Sequence, residues 1–157
     1  MRSDQHYKEA LEALITYCNY QERCTIEVRQ KLSAFEIDDT KKEQLIEELK
    51  ITNYLNDERF AEAFISGKVR IKRWGRNKIR AALRSKQISE LLIENGFKKV
   101  IRSDDYQEQL EKLFTQKWKQ LKNKKDITTR AKLFRFLYSK GYESELINQL
   151  INQLFSK

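Results

Sequence analysis

Val28-Arg29-Gln30-Lys31-Leu32, with Glu36-Ile37 close behind, is answered by Ile79-Arg80-Ala81-Ala82-Leu83 with Gln87-Ile88. A third version, Leu133-Phe134-Arg135-Phe136-Leu137, is followed by Gly141-Tyr142. The copies stand 51 and 54 residues apart, as positions 28, 79 and 133 show. In each, two apolar anchors four residues apart share one helix face, and another apolar residue follows after a turn. A spacing that returns twice marks one unit used three times, with loops of variable length.

Working outward, each copy runs on into another helical pattern. Leu45 and Leu49 follow Ile37, and Leu146, Leu150 and Leu154 follow Tyr142 at steps of four. The middle copy keeps Leu92 and Val100 but has Gly96 in the leucine position, where the helix is predicted to end or bend. A leading helix precedes each copy, over 7–19, 57–73 and 105–121. Its apolar rows are Leu11, Leu14, Cys18; Phe60, Phe64, Ile71; and Leu110, Leu113, Phe114, Trp118, Leu121. Asn56 or Asp57 is placed to cap the second leading helix, and Asp104-Asp105 open the third. The expected fold is all-α, with three tandem three-helix repeats over residues 1–55, 56–102 and 103–157. Units this small bury little alone, so they are expected to stack into an elongated, curved array.

Composition agrees. The chain has 157 residues, no proline and four glycines, where average usage would give about eight prolines. Hydrophobic content of 39% and charged content of 35% describe thin cores under much solvated surface. No apolar run is long enough for a membrane span or a signal-peptide core, so a cytoplasmic protein is expected. Cys18 and Cys24 have neither redox nor zinc spacing. The one histidine, His6, falls in a terminus expected to fray. No metal, cofactor or catalytic residue can be assigned, and an enzyme is not expected.

Charge is distributed unevenly. Residues 1–55 hold 8 basic and 11 acidic side chains, a balance of −3; residues 56–102 hold 13 and 5, giving +8; residues 103–157 hold 11 and 7, giving +4. No acid occurs between Glu62 and Glu90, yet Lys68, Arg70, Lys72, Arg73, Arg76, Lys78, Arg80, Arg84 and Lys86 crowd into that window. These cations, with Trp74 among them, are the candidate partner- or nucleic-acid-binding residues. Arg76, Arg80 and Arg84 are spaced to form one stripe on one helix. Trp74 has two readings, stacking on a base or packing into the helix junction. Arg59 likewise either pairs with Asp57 or meets a partner. Gly75 is expected to permit a backbone angle other residues resist, and Gly141 to end its helix in the left-handed region.

Asn56-Asp57-Glu58-Arg59-Phe60-Ala61, then Trp74-Gly75-Arg76-x-Lys78-Ile79 with Leu83, Lys86 and Ile88, resembles the RecX family of bacterial recombination regulators. Leu133-x2-Phe136-Leu137-x2-Lys140-Gly141-Tyr142 is similar to that family's C-terminal ending, and Glu27-Val28-Arg29-x-Lys31-Leu32 to its first unit. Glu36 and Gln87 stand where the family pattern has glycine. The resemblance implies a regulator without catalysis that binds the RecA–single-stranded-DNA filament. It would mostly inhibit recombinase, ATPase and coprotease activity, in DNA repair and the SOS response. A monomer is expected, with RecA filaments as partner, single-stranded or duplex DNA as a further one, and no membrane. The alternative is an independent nucleic-acid-binding helical module, distinguished by tight DNA binding without recombinase.

Overall fold

A computed structural model describes residues 2–156. Helices run α1 Arg2–Tyr20, α2 Thr25–Leu32, α3 Asp39–Ile51, α4 Asp57–Gly67, a π-helix Lys68–Lys72, α5 Arg76–Ser85, α6 Glu90–Val100, α7 Ser103–Gln120, α8 Ile127–Ser139 and α9 Ser144–Phe155. No strand occurs among the described residues. Starts are set by short polar side chains accepting from backbone amides of the first turn. Asp38 accepts from Lys41 N at 2.8 Å, Asn56 from Arg59 N at 2.9 Å and Asp126 from Thr129 N at 2.7 Å. Cys24 precedes α2, where the Glu27 carboxylate reaches back to accept from Cys24 N at 3.0 Å. α1 begins at Arg2, so His6 lies within a helix rather than in a frayed end.

Buried side chains gather in three clusters. The first contains Leu14, Val28, Leu32, Leu45 and Leu49; the second Phe60, Ile65, Ile79, Leu83 and Ile93; the third Leu110, Leu133, Leu137, Tyr142 and Ile147. The repeated anchors Val28, Ile79, Leu133 and Leu32, Leu83, Leu137 are all fully buried. Each such side chain contributes about 1.5–3 kcal/mol of burial. Cys24 and Ile26, at the head of α2, pack into the second cluster and cross from the first unit to the next. The accessible surface is 10001 Å², against about 8,300 Å² for a compact protein of this mass. That excess is what a row of small bundles exposes. Among the described residues no helix is long and apolar enough to cross a membrane.

Turn geometry differs between copies. Gly141 has φ +99°, and Gln87 takes φ +60° in the same role. Both turns send an amide back five residues, from Tyr142 N to Leu137 O at 3.2 Å and from Ile88 N to Leu83 O at 3.1 Å. Gln87 bears a strain of about 1 kcal/mol that glycine would avoid. Glu36 has no positive φ, because α2 leaves through Phe35 N to Leu32 O and Ile37 N to Phe35 O, each at 3.0 Å.

Three expectations are corrected. α6 continues through Gly96, whose role is close approach: a Cβ there would lie 2.6 Å from Ile65 Cδ1 on α4. Ile71 is 79% exposed rather than on the apolar row, because the π-helix widens the turn and rotates later residues off α-helical spacing. In α9 the buried positions are Ile147 and Ile151, with Leu146, Leu150 and Leu154 half-buried beside them.

Candidate nucleic-acid and protein interface

The basic window folds as the end of α4, the π-helix and α5. Arg73 leaves the π-helix with φ +57°, and Trp74 N donates to Lys68 O at 3.0 Å. This turn delivers Trp74 to the edge of the second core. The ammonium groups of Lys68 and Lys78 lie over its ring at 4.7 and 4.6 Å. Trp74 therefore packs into the helix junction and is already engaged by two cations.

Arg76, Arg80 and Arg84 do share α5, but each meets a carboxylate of the same chain. Arg76 pairs with Glu143 at 2.7 Å, Arg80 with Glu94 at 2.7 Å, and Arg84 with Glu90. Lys86 reaches Glu27 at 3.4 Å. The hydrogen bond from Arg84 holds Glu90 below the usual carboxylate range. Among the described residues no carboxylate lies within 4.0 Å of Lys68, Arg70, Lys72, Arg73 or Lys78. The window thus divides into a neutralised stripe on α5 and a set free of carboxylate partners, on and beside the π-helix with Lys78 on α5. Sequence reasoning missed the stripe's partners. Only the four-residue spacing of Glu90 and Glu94 on one helix face hinted at them.

Gly75 is a correction of cause. Its φ of −82° and ψ of 169° suit any residue. What glycine supplies is room, since a Cβ would overlap the backbone of Gly141 and Tyr142. Gly75 N donates to Lys140 O at 2.8 Å, and Asn77 N to Gly141 O at 2.9 Å. Arg76 N donates to the Tyr106 hydroxyl at 3.0 Å, and that hydroxyl donates to Glu143. Burial, then the bond to Glu143, pushes the Tyr106 hydroxyl far above its ordinary value. Tyr142 OH donates to Arg73 O at 3.2 Å, and burial raises that phenol to about 12. The second and third units are therefore locked backbone to backbone.

The remaining family-pattern residues tie the first unit to the second. Asp57 accepts from Thr25 N at 2.8 Å and Thr25 Oγ1 at 2.9 Å. Arg59 pairs with Glu22 at 2.9 Å and donates to Asn53 Oδ1 at 2.8 Å, so within the fold its carboxylate partner is Glu22 and not Asp57. Asn56 caps α4, and Phe60 is 6% exposed in the core.

Burial raises the Cys24 thiol to about 11 and also raises Cys18. Both are buried and free. Because the thiolate is the reactive form, native protein at mildly alkaline pH should react with a thiol-exchange reagent about a hundredfold more slowly than unfolded protein. Stopped-flow labelling checks this, and equal rates would contradict it.

Comparison with known proteins points one way. Family models described as the second and third three-helix domains of RecX match residues 56–96 and 104–151. A regulatory protein RecX of Clostridium perfringens (strain 13 / Type A) is 37% identical over 130 residues, covering 82% of this chain and 60% of that protein. This chain thus spans about 60% of the length of such clostridial relatives. A regulatory protein RecX of Prosthecochloris aestuarii (strain DSM 271 / SK 413) is 30% identical over 154 residues, 98% of this chain and 99% of that one. The crystal structure of RecX from Lactobacillus salivarius shares the fold with a TM-score of 0.86 at 20% identity, over 98% of this chain and 99% of that one.

Proposed function

This chain belongs to the RecX family of regulatory proteins, and from that premise we propose that it regulates RecA without catalysis. As a cytoplasmic monomer it docks on the RecA–single-stranded-DNA filament and mostly inhibits recombinase, ATPase and coprotease activity. The observation supporting this reading is the free cationic set Lys68, Arg70, Lys72, Arg73 and Lys78 on a scaffold whose other window cations are internally paired. Unpaired arginine and lysine on a rigid helical junction suit a surface of carboxylates or phosphates. In the α5 stripe Arg76 ties the second unit to the third, while Arg80 and Arg84 tie α5 to α6.

Co-sedimentation tests the proposal. The protein should pellet with RecA filaments and pellet far less with bare single-stranded DNA or with RecA alone, across a range of salt. Equal recovery on bare DNA would favour the independent nucleic-acid-binding module. In that case the slope of log affinity against log salt would count the phosphates contacted, at about 0.7 per contact on a single strand.

A further inference from the structure

A cleft of about 410 Å³ opens where the second and third units meet, within the range of about 300–1,000 Å³ common to small-molecule sites. Val69, Arg70 and Arg73 line one side, Asp105 and Glu108 lie on α7, Val100 ends α6, and Ile101 and Arg102 form the connection between α6 and α7. Among the described residues Arg70, Arg73 and Arg102 have no carboxylate within 4.0 Å, and Asp105 no cation. Two departures from regular backbone, the π-helix and the positive φ of Arg73, both fall on this cleft. Such conformations persist only where surrounding structure enforces them, and they cluster at binding sites. Here the third unit supplies the enforcement. Gln109 Nε2 donates to Val69 O at 2.7 Å, and Tyr142 OH donates to Arg73 O.

We propose that this cleft binds a free nucleoside di- or triphosphate. Three unpaired guanidinium groups offer the forked donors that phosphate oxygens accept. Val69, Val100 and Ile101 give an apolar surface for the face of a base, and Asp105 can accept from a ribose hydroxyl or exocyclic amine. Glu108 in the same lining is paired with Lys112 at 3.3 Å, which leaves Asp105 as the carboxylate to be met. A carboxylate-rich peptide offers no ring for the apolar surface, which disfavours that class. The site shares Arg70 and Arg73 with the proposed filament surface, but Arg102 lies outside the acid-free window and the site needs no recombinase, so a change at Arg102 separates the two readings.

Calorimetric titration of the full chain alone, at about 0.15 M salt, tests it with ATP, ADP, adenosine and inorganic tripolyphosphate as probes. ADP and ATP should each bind one saturable site, about tenfold or more tighter than adenosine or tripolyphosphate. Arg102→Glu should weaken ATP binding by about tenfold or more, while Lys132→Glu on α8, an equal change of charge, should leave it unaltered. Circular dichroism of both variants confirms folding. The proposal is overturned if no saturation occurs, if tripolyphosphate matches ATP, or if Arg102→Glu binds ATP as the unaltered protein does. Displacement of ATP by Lys132→Glu as strongly as by Arg102→Glu would likewise overturn it.

Discussion

Gly75→Ala is expected to destabilise the protein by about 2–4 kcal/mol, lowering the melting temperature by roughly 5–12 °C for a chain of this size. The sign is the informative part. At φ −82° alanine fits the backbone without strain, and restricting the unfolded chain would by itself add about 0.4–1 kcal/mol of stability. The opposite outcome follows from the overlap of the new Cβ with the Gly141 carbonyl group and Tyr142 N. Relief requires the strands of backbone to part, which lengthens the bonds from Gly75 N to Lys140 O and from Asn77 N to Gly141 O. It also pulls Arg76 from Tyr106 and Glu143. Gly67→Ala is the control, since nothing lies within 4 Å of a Cβ there, and it should be neutral or stabilising. Thermal melts of both variants decide the matter. A Gly75→Ala protein that melts at or above the unaltered temperature would remove the close-approach argument.

Charge reversal at the free set has the largest expected effect on function. Arg70→Glu, Lys72→Glu and Arg73→Glu combined should lower binding to RecA filaments by about two orders of magnitude or more, and abolish inhibition of strand exchange. No internal ion pair is lost, so the melting temperature should move little. Arg84→Glu is the contrast. It reverses one charge in the same window, but that exposed charge is already paired with Glu90, so its effect on filament binding should be small. If the triple variant still inhibits strand exchange at unaltered concentration, the π-helix surface is not where the filament docks.

The three-unit helical design was legible because its evidence is local. Val28 and Leu32, Ile79 and Leu83, Leu133 and Leu137 repeat at helical spacing, and all six are buried. The π-helix was not legible, since periodicity assumes regular turns and one widened turn carried Ile71 from the apolar row into solvent. The cations of the basic window were visible from composition, but their division was not. Glu143 lies 67 residues beyond Arg76, and nothing in a linear pattern says that the two meet. Gly75 shows the same limit. A glycine required by torsion and one required by a neighbour's backbone look alike until Gly141 is seen beside it.

The two joints between bundles differ in kind. The later one is closed by main-chain bonds that ionic strength scarcely touches, with the Arg76–Glu143 pair beside them. The earlier one relies on Asp57 with Thr25, Arg59 with Glu22 and Lys86 with Glu27, plus a small apolar contact at Cys24 and Ile26. Charged ties of that sort weaken as the screening length shrinks. With rising salt the leading bundle is expected to gain freedom to swivel, while main-chain bonds hold the other two together. Compliance would then be set by the ionic medium at one place, and reach along an uneven surface would change without any loop having to open.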